Sequence, residues 1–187
     1  MKQILTFMRA SILTILLLMV AMTGQAQPPA PDYSVKSFSF MIGTWQGEGW
    51  IMGRDRTRKT FQQTETIQPK ANMRALQVEG LGYATDSTGV TDRVIHDAFG
   101  IISYNPAREG FTMLAFSDQG GRMECDFKQI GDKKLQWSFM NPGNGGYVRF
   151  TEDFSTEGVW VELGEFSRDG AQWFPFFQMK LIRQESE

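Results

Sequence analysis

This sequence predicts an all-β chain, an antiparallel up-and-down β-barrel of about ten strands with a short N-terminal helical turn. Three observations carry that prediction. β-prone runs recur at short spacing from Thr44 to Arg183, with no long helical period between them. The gaps hold Gly, Asn, Asp and Pro, residues that turn a chain tightly. Connections this short force neighbours to run antiparallel, because a parallel crossover needs a dozen residues or more. A meander of that length either splits into two sheets or closes on itself, and closure removes the exposed edges, so a barrel is expected over a sandwich.

The elements follow in order. Lys2 and Arg9 make a positive start, Ile12 to Val20 is apolar, and Gly24-Gln25-Ala26 places small residues before Gln27. That is the pattern of a cleaved signal peptide over 1–26. The apolar run is shorter than the roughly 20 residues of a spanning helix, so an exported protein, periplasmic or secreted, with no membrane span is expected. Gln27-Pro28-Pro29-Ala30-Pro31 opens an extended tether over 27–34, since its prolines preclude a regular helix. The barrel domain then covers 35–187. A helical turn is expected over Val35–Met41. Strands are expected over Thr44–Met52, Thr57–Gln68, Met73–Thr85, Val94–Tyr104, Gly110–Ser117, Gly121–Ile130, Lys134–Met140, Gly146–Phe154, Gly158–Ser167 and Gln172–Arg183. Between them Gln68-Pro69-Lys70, Asp86-Ser87-Thr88-Gly89, residues 118–121, residues 141–145 and Arg168-Asp169-Gly170 read as turns.

Composition bounds the function. The 187 residues carry a net charge of −2, and loss of Lys2 and Arg9 with the signal peptide takes the remaining chain to −4. A nucleic-acid surface would need clustered positive charge, and the one basic run, Arg54 to Lys59, reads as a solvated turn. One cysteine, Cys125, excludes an intrachain disulfide, and with one histidine, His96, it makes no metal-ligand cluster. Cys125 sits between Met123 and Phe127 on one face of its strand, as a buried inert thiol would. The 15 Phe, 5 Trp and 11 Met supply bulk for a core or a cavity lining. Phe174, Phe176 and Ile182 make the last strand apolar on both sides, which predicts a cover on its outer face, with the turn near Phe38 and Phe40 as the candidate.

Phe38-Ser39-Phe40-Met41-Ile42-Gly43-Thr44-Trp45-Gln46-Gly47-Glu48-Gly49, a helical lead-in followed by Gly-x-Trp on the first strand, resembles the calycin superfamily of lipocalins, fatty-acid-binding proteins and nitrobindin-like barrels. His96-Asp97 ahead of Ile102 to Pro106, and Gly164 to Gly170 running into Trp173 to Phe177, make the chain similar to a family of exported bacterial proteins with lipocalin-like barrels. The resemblance implies that Gly43 lets the chain enter the barrel floor, that Trp45 plugs that end, and that Arg183 packs across its indole. Nitrobindin-like relatives hold heme through a histidine near the C-terminus. The only histidine here is His96, mid-chain, so heme is implied by kinship and opposed by position.

A closed barrel of this size can be filled or can hold one ligand, and inward polar side chains favour the second. Glu65 shares a face with Gln63, Phe61 and Ile67; Gln77 and Glu79 share one with Met73, Ala75 and Leu81; Tyr147, Arg149 and Thr151 share another. These faces point either inward or, on the reverse parity, to water. Fatty-acid-binding relatives hold a carboxylate with inward Arg and Tyr, which the resemblance carries to Arg149 and Tyr147. Trp137 is a candidate cavity wall. His96 beside Asp97 resembles a general-base pair, but adjacent strand residues point to opposite faces, which favours a structural or exposed histidine. The expected function is a binding module carrying or sequestering a small apolar or amphipathic molecule with a polar head. A barrel enzyme, an isomerase or a heme-assisted detoxifier, and a structural or interaction protein of the cell envelope are the alternatives.

Overall fold

The computed structural model of the chain describes residues 32–185 apart from 118, 119, 142 and 144. The expected signal peptide, tether residues 27–31 and parts of the turns expected at 118–121 and 141–145 lie outside the described residues. A 3₁₀ turn, Lys36–Met41, leads into ten strands: β1 Gly43–Met52, β2 Arg58–Lys70, β3 Ala75–Asp86, β4 Gly89–Asn105, β5 Gly110–Ser117, β6 Arg122–Gly131, β7 Lys134–Met140, β8 Tyr147–Asp153, β9 Val159–Ser167 and β10 Phe174–Arg183. Each strand pairs antiparallel with the next, and β10 pairs back onto β1 from Trp45↔Arg183 to Ile51↔Phe177, so the sheet is a closed up-and-down barrel of the lipocalin/calycin-like kind.

The alternation expected on β6 holds, with Cys125 and Phe127 buried and Asp126 and Lys128 exposed. Inner-face side chains from all round the barrel meet in one core that includes Trp45, Ile67, Leu76, Ile102, Leu135 and Leu181. The 3₁₀ turn closes one end. Phe38 packs edge-on against Phe111 at 4.8 Å and Phe127 at 5.3 Å. Trp45 donates its indole N–H to the Met41 carbonyl at 2.8 Å, and the Arg183 guanidinium lies 4.1 Å over its ring while donating to the carbonyls of Ile42 and Phe40. Gly43, at φ +141°, is where a β-carbon would lie 2.6 Å from that guanidinium, so only glycine leaves the cation its place.

Three local expectations are corrected. β2 runs through Pro69 to Lys70, and the turn falls on Ala71, Asn72 and Met73, all at positive φ. β1 begins opposite Ile67, so beyond that point β2 has no partner on that side and the missing proline N–H costs no ladder bond there. β4 starts five residues earlier than expected, at Gly89, because register shifts opposite Tyr83 let its first residues pair with the end of β3. The outer face of β10 is not covered by the helical turn, which plugs the barrel end instead; Phe174 and Ile182 stand exposed. The barrel unit begins at Tyr33, whose ring lies 4.5 Å from that of Tyr104.

Candidate functional site

Strand parity decides what the barrel holds. β2 points Phe61, Gln63, Glu65 and Ile67 inward, all buried. The opposite residues of β3 are Ala84, Gly82, Gly80 and Val78. A β-carbon on Gly80 would lie 2.5 Å from the Glu65 carboxylate, and one on Gly82 would lie 2.3 Å from the Gln63 amide oxygen. The two glycines are the space into which these polar side chains fit. Gln77 and Glu79, expected on the inner face, fall on the outer one, with Glu79 exposed. The reason is that inward Leu76 and Val78 set the parity of β3, while the next inner positions, Gly80 and Gly82, are glycines, which carry no hydrophobic signal.

β8 and β9 reverse the second expectation. The inner face of β8 is Val148, Phe150 and Glu152; that of β9 is Trp160, Glu162 and Gly164. Tyr147, Arg149 and Thr151 therefore face out. Arg149 pairs with Glu165 at 2.8 Å and stacks 3.9 Å over Trp173, on the outer surface, so it cannot hold a ligand carboxylate inside the barrel. In place of an inward cation the interior carries Glu152 and Glu162, directly opposite one another across the β8–β9 ladder. Neither is among the candidates that the sequence pattern singles out. Their signal is the alternation with Phe150 and Phe154 on one strand and with Trp160 and Gly164 on the next.

Glu65, Glu152 and Glu162 are each about 95 % removed from solvent. Burial pushes the Glu65 carboxyl up to about 8, opposed by the hydrogen bond it accepts from Gln63 at 2.7 Å and reinforced by the charge of Glu152. Burial also raises Glu152, against the hydrogen bond that Trp137 donates to it at 2.9 Å. Glu162 is raised well above the usual carboxyl range, first by burial and then by the charges of Glu152 and Glu65. Two carboxyls opposed in a buried site do not both ionise readily, so the set holds protons near neutral pH. Three buried polar atoms have no partner among the described residues: Gln63 Oε1, Glu152 Oε2 and the indole N–H of Trp160. Unmet polar groups in an interior are costly and need an explanation.

Beside them lies a cavity of about 210 Å³. Gly80, Ala98, Gly100 and Ala115 leave the room; Trp137, Phe150, Trp160 and Phe177 form aromatic walls; Glu65 and Glu162 supply acids. The walls are braced by a ring stack of Trp137 on Phe150 at 4.0 Å, and Phe150 reaches across Gly164, where a β-carbon would lie 2.6 Å from its ring. His96 lines the cavity from an exposed position on β4. Of the sequence candidates, the structure brings Glu65, His96 and Trp137 together here; Gln77, Glu79, Tyr147 and Arg149 are on the outer face; Gly43, Trp45 and Arg183 close the barrel end. Cys125 is fully buried, and burial holds its thiol up at about 12.

The heme that the sequence resemblance implies does not fit this cavity. The cavity is smaller than the roughly 300–1,000 Å³ of ordinary small-molecule pockets, its polar walls are acids, and the one histidine is partly in solvent.

No protein-family model matches the sequence, and no curated protein matches it. Among solved structures the chain is similar to Rv2717c from M. tuberculosis, at 11% identity and a TM-score of 0.55 over 80% of this chain and 96% of that one. It is also similar to the S-type phycobiliprotein lyase CPES from Guillardia theta, at 11% identity and a TM-score of 0.56 over 83% of this chain and 96% of that one. These likenesses establish the barrel fold.

Proposed function

We propose that this chain is an exported, non-enzymatic binding barrel, periplasmic or secreted, that carries or sequesters one small apolar molecule with a polar head. The observation that carries the reading is the cavity itself: an aromatic-walled space of about 210 Å³ with buried carboxyls in its wall and an indole N–H left without an acceptor. An apolar cavity of roughly 150 Å³ accepts a benzene ring, so this one suits a single ring with a short arm. The N-terminal charge and apolar pattern supports export, and N-terminal sequencing of the protein recovered from cells tests it: a chain starting at Gln27 is expected, and one starting at Met1 refutes it.

The binding reading is tested by titrating the protein with toluene, benzyl alcohol, benzylamine and benzoate while following tryptophan fluorescence, since Trp137 and Trp160 line the cavity. At least one probe saturates, and Ala115→Phe, which drives a ring into the space, abolishes that binding while the far-ultraviolet spectrum stays β-rich. Failure of every probe to saturate overturns the reading.

A further inference from the structure

The charge of the interior specifies more than a polar head, on the footing that the barrel binds a small molecule at all. Facing the cavity or the groups beside it are Gln63 and Glu65 on β2, His96 on β4, Cys125 on β6, Trp137 on β7, Glu152 on β8, and Trp160 and Glu162 on β9. At this level β1, β3, β5 and β10 present glycine or apolar side chains such as Gly49, Val78, Ala115 and Met179. The cations nearby are engaged elsewhere or sit outside the cavity. Arg183 is committed to Trp45 and two carbonyls at the closed end; Lys59, in the neighbouring pocket with Arg58 and Arg93, is paired with Asp55 at 2.8 Å; Arg108, in the adjoining pocket with Arg122, is paired with Asp126 at 2.7 Å.

We infer that the cargo is a small organic cation, an ammonium group on a single ring or a short aliphatic body, which the barrel takes up in exchange for a proton. Two independent features converge on it. The first is the acid set with four aromatic rings around it, the pairing that recognises ammonium groups through charge and ring faces together. The second is the population of unmet atoms: the Trp160 N–H, in a side chain 3 % exposed that lines the same cavity, with Gln63 Oε1 and Glu152 Oε2 buried beside it. Gln63 Oε1 accepts as it stands, and Glu152 Oε2 accepts once its carboxyl has given up its proton, so N–H groups on the cargo match both. A hydrocarbon would leave all three unmet, and a carboxylate would bring a charge that no cation beside the acids compensates.

The exchange balances without another reactant. Empty, the carboxyls keep their protons because nothing inside compensates a charge. An entering ammonium supplies that compensation, one carboxyl gives up its proton to solvent, and the net charge of the interior is unchanged. Affinity therefore rises with pH as long as the amine itself stays protonated.

Calorimetric titration of the full chain in phosphate and in HEPES, with benzylamine, benzyl alcohol and benzoate as probes, tests this. At about pH 8 benzylamine binds about tenfold or more tightly than benzyl alcohol, benzoate does not bind, and the heat differs between buffers by the ionisation of up to about one proton. Between about pH 6 and 8 benzylamine tightens several-fold while benzyl alcohol does not. In Glu65→Gln and Glu162→Gln the benzylamine-to-benzyl-alcohol ratio falls about fivefold or more, a ratio that benzyl alcohol anchors against any loss of folding. Equal or tighter binding of benzyl alcohol, binding of benzoate, or identical heats in the two buffers overturns the cation. If benzyl alcohol still saturates, the small-molecule barrel stands and the cation alone falls; if no probe saturates, both fall.

Discussion

Replacing Glu65 by glutamine keeps its shape and its contact with Gln63 and removes its proton chemistry. In the unfolded chain this carboxyl titrates at its ordinary value of 4.5; in the barrel it titrates at about 8. The native state thus holds the proton more tightly. Below pH 4.5 both states are protonated and the group is neutral to folding. Above it the unfolded chain releases the proton and the native one does not, so stability falls as pH rises, levelling off above about 8. That gap of about 3.5 pH units, at about 1.4 kcal/mol each, couples Glu65 to folding by about 5 kcal/mol. Against total stabilities of about 5–15 kcal/mol the loss is large. Urea denaturation followed by tryptophan fluorescence, at about pH 5 and pH 8.5, measures it. The wild-type midpoint drops sharply between the two; Glu65→Gln matches it at the lower pH and exceeds it by several kcal/mol at the higher. Parallel pH dependences in the two proteins, or a wild type more stable than Glu65→Gln at the higher pH, refute the reasoning.

Arg183→Ala removes the cation from the Trp45 ring and leaves the carbonyls of Ile42 and Phe40 without their donor, a loss of about 2–4 kcal/mol by denaturation, which lysine does not restore because it lacks the planar fork. Arg149→Ala breaks a pair on the outer face and costs about 1 kcal/mol or less, with probe binding unchanged. Gly100→Ala places a β-carbon at ordinary contact distance, 3.6 Å from the Met113 sulfur, so stability shifts by less than about 1 kcal/mol while the cavity shrinks by a methyl group and probe affinity falls. Cys125 resists a thiol reagent in the native protein and reacts once urea is added, because burial keeps the thiol protonated.

The strands were legible because their ends are chemical: Gly, Asn and Asp at the turns leave the chain few alternatives, and the fifth and seventh strands lie where the pattern placed them. Closure followed from the shortness of the connections. Parity was legible only where one face is bulky and the other charged, as on β6. On β3 it failed because the inward positions opposite Gln63 and Glu65 are glycines, whose role, making room for a neighbour's carboxyl, leaves no mark in a hydrophobic pattern. On β8 and β9 it failed for the opposite reason. An acidic side chain reads as solvent-facing, and only the alternation with Phe150, Phe154 and Trp160 marks Glu152 and Glu162 as pointing into a core. The expected inward arginine and the observed inward glutamates differ by one step of strand register, which turns a site for a carboxylate into a site for its counterpart.

The claim on which all else turns is that three glutamate carboxyls face the interior of a closed barrel. Carbon-13 NMR of the side-chain carboxyls, assigned through the Glu65→Gln, Glu152→Gln and Glu162→Gln variants, measures it without any ligand. Glu65 should titrate near pH 8 and the Glu152–Glu162 pair should stay at least partly protonated above the ordinary glutamate range. Three carboxyls that titrate near 4.5, as exposed glutamates do, would contradict the account.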